Sequence, residues 1–284
     1  MVIEIFCLLC ATALSVTGSL TFWPVTEWYH FYIPIVLFIG GYLVALFGIV
    51  WWSIDITGRI IEKQGEKPHV NKLAKAIFDD AAKYLIMHAG VIRKIRGFHK
   101  LPRNQKFLLV CNHQSNFDNF IITRCLGKRY IAFITKKENE KIPLGKRIIR
   151  AMKYQAIDRN DKLQSLQVIK NSVELVKNQV TSMAVFPEGT RSKDGKVGEF
   201  HEGVFNIALH ARAPIVVMTT YGANKIHKNW PFRPTKVYED VLCVIPYEEI
   251  QDKPAKEVSD MVRQIMIEHL EELEAIHGKK RKSC

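Results

Sequence analysis

A histidine and an acid stand five residues apart in NHQSNFD, which runs from Asn112 to Asp118 directly after the apolar run KFLLV and Cys111. Imidazole takes a proton near neutral pH, so a histidine at a strand end can serve as a general base. Asp118 could bond the other ring nitrogen, fix its tautomer and stabilise the imidazolium. No serine or cysteine nucleophile is needed if the substrate brings its own hydroxyl. Taken alone, the same stretch reads more readily as a turn capping a helix, because Asn112, Ser115, Asn116 and Asp118 all favour such positions.

A second cluster, AVFPEGTRS from Ala184 to Ser192, also closes an apolar run. Gly189 permits a tight backbone path, and Arg191 suits a phosphate gripped by two parallel hydrogen bonds. Lys136 and Lys137 follow the run IAFI, and Arg159 follows YQAI. Together with Arg191 they would make one cationic pocket at a sheet edge, although each alone reads as surface charge. Other chemistries lack their motifs. There is no GxSxG for a nucleophile elbow and no GxGxxG for a dinucleotide. GTRSKDGK, Gly189 to Lys196, misses the P-loop spacing by one residue and is followed by Val197 instead of Ser or Thr. Neither His113 nor Asp118 has a partner at metal-ligand spacing.

The elements that must position these residues follow from the pattern of apolar runs. Runs at 107–110, 130–134, 183–186, 215–218 and 242–245 alternate with helical stretches. That alternation predicts an α/β fold with a mixed, largely parallel sheet flanked by helices, whose strand ends carry the site. In DKLQSLQVIKNSVELVKNQV, Asp161 is the expected N-cap, and Leu163, Leu166, Ile169, Val173 and Val176 share one face. Helical spacing also predicts one helix over about 70–98 and another over about 256–277, ending at Gly278.

The N-terminal part is different. From Trp28 to Ile54 there is no Asp, Glu, Lys or Arg, a length that crosses a bilayer at 1.5 Å per residue. Trp28, Tyr29 and Tyr32 at one end, with Trp51 and Trp52 at the other, fit interfacial aromatic belts. Residues 5–26 are uncharged but less hydrophobic, and a second membrane-embedded helix paired with the first is expected. Lys and Arg are absent before Arg59 and then arrive at Lys63, Lys67, Lys72 and Lys75. By the positive-inside rule the remainder faces the cytoplasm. The expected division is therefore a membrane anchor at 1–62 and a cytoplasmic-facing domain at 63–284.

Lys plus Arg number 41 against 28 Asp plus Glu, a formal charge of +13 that asks for an anionic partner. The membrane segment and the lack of an aromatic-basic RNA motif point away from nucleic acid. Six scattered cysteines, including Cys7 and Cys10 inside an apolar run, do not make a disulfide framework or a zinc site. The basic tail KKRKSC reads as a solvated end that could touch anionic headgroups.

NHQSNFD and FPEGTRS, in that order and about 75 residues apart, resemble the HX4D and FPEGTR blocks of the glycerolipid acyltransferases, the enzymes similar to 1-acylglycerol-3-phosphate acyltransferase. TKKENEKIPLGK and YQAIDR resemble blocks between those two, and APIVVM (213–218) the apolar block after them. The resemblance covers about residues 70–250. It implies a membrane-bound enzyme of phospholipid biosynthesis that moves an acyl chain from acyl-CoA or acyl carrier protein onto the free hydroxyl of lysophosphatidic acid. It further implies His113 as general base with Asp118 orienting it. Lys136, Arg159, Glu188, Gly189, Thr190 and Arg191 would form the phosphate pocket, with no metal and no bound cofactor. One departure stands out: Phe200-His201-Glu202-Gly203 occupies a place where the family often has a basic residue before the glycine. Two other readings stay open: a different acceptor, such as glycerol 3-phosphate or a larger lysophospholipid, and an anionic-lipid-binding membrane protein without chemistry.

Overall fold

The computed structural model describes residues 2–22, 32–63, 72–127, 129–141, 145–192 and 195–277. Trp28, Tyr29, Lys67, Gly278 and the KKRKSC tail lie outside the described residues. The chain divides into two compact units, residues 1–63 and 64–284.

The first unit is a pair of helices, α1 (Val2–Phe22) and α2 (Tyr32–Lys63). Cys7, Ala11 and Ser15, spaced four apart on one face of α1, are buried. The Ser15 hydroxyl donates to the Pro34 carbonyl at 2.8 Å. A Cβ on Gly41 of α2 would come within 3.2 Å of Leu14 and 3.5 Å of the Ala11 Cα. Small residues facing each other let the two backbones approach closely, the usual packing of helices in lipid. The outward faces, including Val36, Val44 and Phe47, are exposed and apolar. Among the described residues one helix is long and apolar enough to cross a membrane, Tyr32–Ser53, with mean hydropathy 2.5; the apolar part of α1, Cys7–Gly18, is shorter.

The second unit is a seven-stranded sheet between helices. Its strands are β1 (Val91–Arg96), β2 (Leu108–Cys111), β3 (Ile131–Lys136), β4 (Gln155–Ile157), β5 (Ser182–Val185), β6 (Ile215–Tyr221) and β7 (Thr235–Ile245). The spatial order is β1-β7-β6-β2-β5-β3-β4. All neighbours run parallel except β6 and β7, so β1 and β7 run against the other five. The sheet is mixed and largely parallel, as the apolar runs predict. Central β2, β5 and β6 are buried at every position, which is why their sequences read as continuous apolar runs.

One expectation fails, for a local reason. The helix expected over 70–98 stops at α3 (Lys72–His88), and VIRKIR becomes β1. Gly90, at φ +65°, breaks the helix in a backbone conformation that most side chains avoid. The helix capped by Asp161, α6 (Lys162–Lys177), forms with the Gln164 amide donating to the Asp161 carboxylate at 3.0 Å. Its buried residues are Val168, Ser172, Val173 and Val176. Leu163 and Leu166 are 80% and 59% exposed, although Gln164 between them bonds Ala156 and Asp158 at β4. The last helix, α9 (Ala255–His277), agrees with its amphipathic spacing.

Candidate active site

Parallel β2 and β5 lie side by side, with Val110 opposite Val185, so the segments that leave them meet at one end of the sheet. NHQSNFD leaves β2 and FPEG leaves β5. Helix α4 (Asp118–Leu126) starts at the acid itself, which puts Asp118 one tight turn from His113.

Asp118 is wholly buried. Its Oδ2 accepts from the backbone N–H groups of Gln114 and Ser115 at 2.7 and 2.8 Å, and lies 2.8 Å from His113 Nδ1. A carboxylate oxygen surrounded by donors makes Nδ1 the protonated ring nitrogen, which leaves Nε2 as a free acceptor. The imidazole stacks on Phe186 with centroids 4.2 Å apart and planes 17° apart, and Phe186 stacks in turn on Phe133. A ring fixed by a bond at one nitrogen and a stack on one face keeps a single orientation, and His113 remains partly exposed for a substrate.

The turn and cap reading of NHQSNFD is thus half right. The loop is a tight turn, with Asp118 N–H donating to the Ser115 carbonyl, yet Phe117 holds the N-cap position without a side-chain bond. Asn112 is a clamp, giving its amide hydrogen to the Thr220 carbonyl and taking the Thr220 N–H, at 2.9 and 2.8 Å.

Glu188 braces the loop from the other side. One carboxylate oxygen accepts the His113 backbone N–H at 2.9 Å and the other the Gly198 N–H at 3.1 Å. Burial pushes this carboxyl up, while the two backbone bonds and His113 pull it back down. Both oxygens are engaged with backbone donors, so Glu188 braces the frame of this loop. Ser192 N–H donates to the His113 carbonyl at 2.8 Å, which pins the residue after Arg191 against the same loop.

Gly189 adopts φ +68°, and a Cβ there would meet the His201 ring at 2.9 Å and the Arg159 guanidinium carbon at 3.2 Å. Arg159 is therefore beside FPEG although it comes from the end of β4, and His201 joins it. The Arg191 and Thr190 side chains are exposed on the same loop. Lys136, exposed at the end of β3, pairs in register with Ile157 of β4 and makes no bond into the loop among the described residues. Lys137 pairs with Asp158 at 3.3 Å. Burial pushes the thiol of Cys111 well up, which disfavours the thiolate. The sequence marks Asn112 only as a turn residue of NHQSNFD, His201 only within the FHEG departure, and Phe186 only as the aromatic residue inside FPEG; Thr220 and Gly198 carry no local signal.

Residues 92–220 match the family model described as Acyltransferase. The chain is 30% identical over 174 residues to a 1-acyl-sn-glycerol-3-phosphate acyltransferase of Cocos nucifera, covering 60% of this chain and 55% of that protein. It is 28% identical over 180 residues to the alpha form of Homo sapiens, covering 63% of each. The chain thus spans less than two thirds of the length of these curated relatives. A crystal structure of the 1-acyl-sn-glycerophosphate (LPA) acyltransferase from Thermotoga maritima shares the fold, with TM-score 0.65 and 24% identity over 82% of this chain and 93% of that one.

Proposed function

We propose, from the premise that residues 92–220 of this chain are an acyltransferase-family domain, that the protein transfers a fatty acyl group from acyl-CoA or acyl carrier protein to lysophosphatidic acid. The observation that carries this reading is the buried Asp118 carboxylate bonded to His113 Nδ1, with Nε2 left free at the loop braced by Glu188. His113 Nε2 takes the proton of the acceptor hydroxyl as its oxygen attacks the thioester carbonyl. The carbon–sulfur bond breaks, and the departing thiolate receives the proton from the imidazolium. Asp118 keeps the ring oriented and stabilises its charge. Acceptor and donor bring nucleophile and leaving group, so the chemistry asks for no metal or bound cofactor.

Arg159, Arg191 and His201 line the loop on which the acceptor's phosphate would lie, and Lys136 stands on the neighbouring strand end as a further cation. Residues 1–63 hold the enzyme at a membrane. The catalytic unit faces the cytoplasm on the ground that Lys and Arg begin only at residue 59. The test is an acceptor and donor panel on the full chain: lysophosphatidic acid, glycerol 3-phosphate and lysophosphatidylcholine, each with acyl-CoA and acyl carrier protein. Lysophosphatidic acid should be fastest. Equal or better rates on lysophosphatidylcholine overturn the acceptor assignment, and no transfer from either donor overturns the activity.

Gly189→Ala probes the phosphate side. The new Cβ strains a left-handed backbone and displaces Arg159 and His201, so acceptor KM should rise about tenfold, the worth of one charge-assisted hydrogen bond. Turnover at saturation should change less. An unaltered KM would place the phosphate elsewhere.

A further inference from the structure

The end of the sheet that carries His113 has exposed apolar side chains on both flanks. β7 runs against β6, and β1 runs parallel to β7, so Val91 and Thr235 start at the end where β2, β5 and β4 finish. The loop between β6 and β7, KIHKNWPFRP, projects there: Phe232 is 91% exposed and Trp230 57%. This loop is fixed to the end of α3, since Trp230 Nε1 donates to the His88 carbonyl at 2.9 Å and Thr235 N–H to the Gly90 carbonyl at 2.8 Å. Met87 and Ile92, on either side of that junction, are exposed too. At the opposite edge, exposed Leu163 and Leu166 open α6 just past β4, where the Gln164 side chain holds Ala156 and Asp158. Six strand spacings of about 4.8 Å put the two flanks about 29 Å apart, with the site between them.

The charge on the first flank selects a partner. No Asp or Glu occurs from Ala81 to Phe117 or from Gly203 to Tyr238, the two segments that build it. Lys228, Arg233 and Lys236 are exposed beside Phe232, with Lys83 and Lys94 further back. An exposed Phe and Trp among cations, on segments without an acid, fits the interfacial layer of an anionic bilayer, where apolar rings enter the headgroup–acyl boundary and lysines and arginines meet phosphates.

We propose that this rim is a second membrane contact: Trp230 and Phe232 with their cations on one flank, and Leu163 and Leu166 on the other, seat the catalytic unit on an anionic lipid surface. His113 then opens toward the layer in which a lysophospholipid resides. The inference rests on the reading of a bilayer-bound acyltransferase, and depth and activity report on the two separately.

The test places a spin label, carried on a ketone-bearing unnatural residue so that native cysteines stay untouched, at position 232, 163 or 177 of the full chain. The chain is reconstituted in vesicles of phosphatidylcholine alone or mixed with phosphatidylglycerol. In the mixed vesicles, labels at 232 and 163 should lie about 5–10 Å inside the headgroup boundary, the depth of interfacial apolar side chains. The label at 177, at the other end of α6, should stay in water. Lys228→Glu with Arg233→Glu, or neutral vesicles, should return the 232 label to water. A label at 232 or 163 as aqueous as that at 177 overturns the proposal, as does depth indifferent to lipid charge, or spin–spin broadening that reveals a second copy on the rim. Acyl transfer assayed in the same vesicles sets the two readings apart. Buried labels without transfer would sink the activity alone, and transfer with aqueous labels the docking alone.

Discussion

His113→Ala should lower acyl transfer by about 10²–10⁴-fold, the contribution typical of a positioned general base, with acceptor KM within a few fold of the unaltered chain. The side chain is partly exposed, and it leaves behind the two backbone N–H bonds that still satisfy Asp118 Oδ2. Folding should therefore survive the change, and the loss will read as chemistry. Asp118→Asn tests the other half. Its Oδ2 serves three donors at once, and an amide that keeps its oxygen toward Gln114 and Ser115 offers Nδ1 a poorer acceptor without negative charge. Turnover should fall by a comparable factor, and the alkaline side of the pH profile should not recover it, because the lost element is orientation and imidazolium stabilisation. Unchanged turnover in His113→Ala would end the mechanism and leave a protein that binds anionic lipid without transforming it.

The pair was legible in the sequence because its two members lie within one turn of chain, and the turn chemistry and the catalytic reading draw on the same residue types. The strands were legible because a buried parallel sheet writes continuous apolar runs. What supports the pair was not. Glu188 reaches the His113 N–H across 75 positions, and Asn112 meets Thr220 across 108; only the order of strands in the sheet makes them neighbours. β1 was hidden because VIRKIR follows a helical pattern without a polar break, and one glycine at φ +65° decides between the two. Spacing puts Leu163 and Leu166 on one face with Val173 and Val176, but it does not report whether anything lies against that face, and both leucines are exposed.

The largest pH effect on stability should come from a group remote from substrate. Glu239 on β7 is wholly buried, bonded by the Cys125 thiol and near Arg93. Burial pushes its carboxyl up from 4.5 to about 8, the Cys125 bond and Arg93 working the other way and Asp118 and Asp240 adding to the rise. The Cys125 thiol is itself pushed up by burial and by Glu239, so it remains the donor. Below 4.5 both the folded and unfolded chains hold this proton; between 4.5 and about 8 only the folded chain does. Stability attributable to Glu239 therefore falls as pH rises through that window and levels off above it. Glu239→Gln, which keeps the shape and stays neutral, should flatten the slope and leave the variant more stable by about 1–3 kcal/mol on the alkaline side, a small multiple of the 1.36 kcal/mol carried by one pKa unit. Denaturant unfolding of both chains in one detergent, across the window, measures the difference while other titrating groups cancel. Parallel slopes would mean that Glu239 is ionised when folded. A neutral Glu239 also spares Asp118 a second buried negative charge, so the same substitution should leave acyl transfer near its original rate at neutral pH and extend it to higher pH.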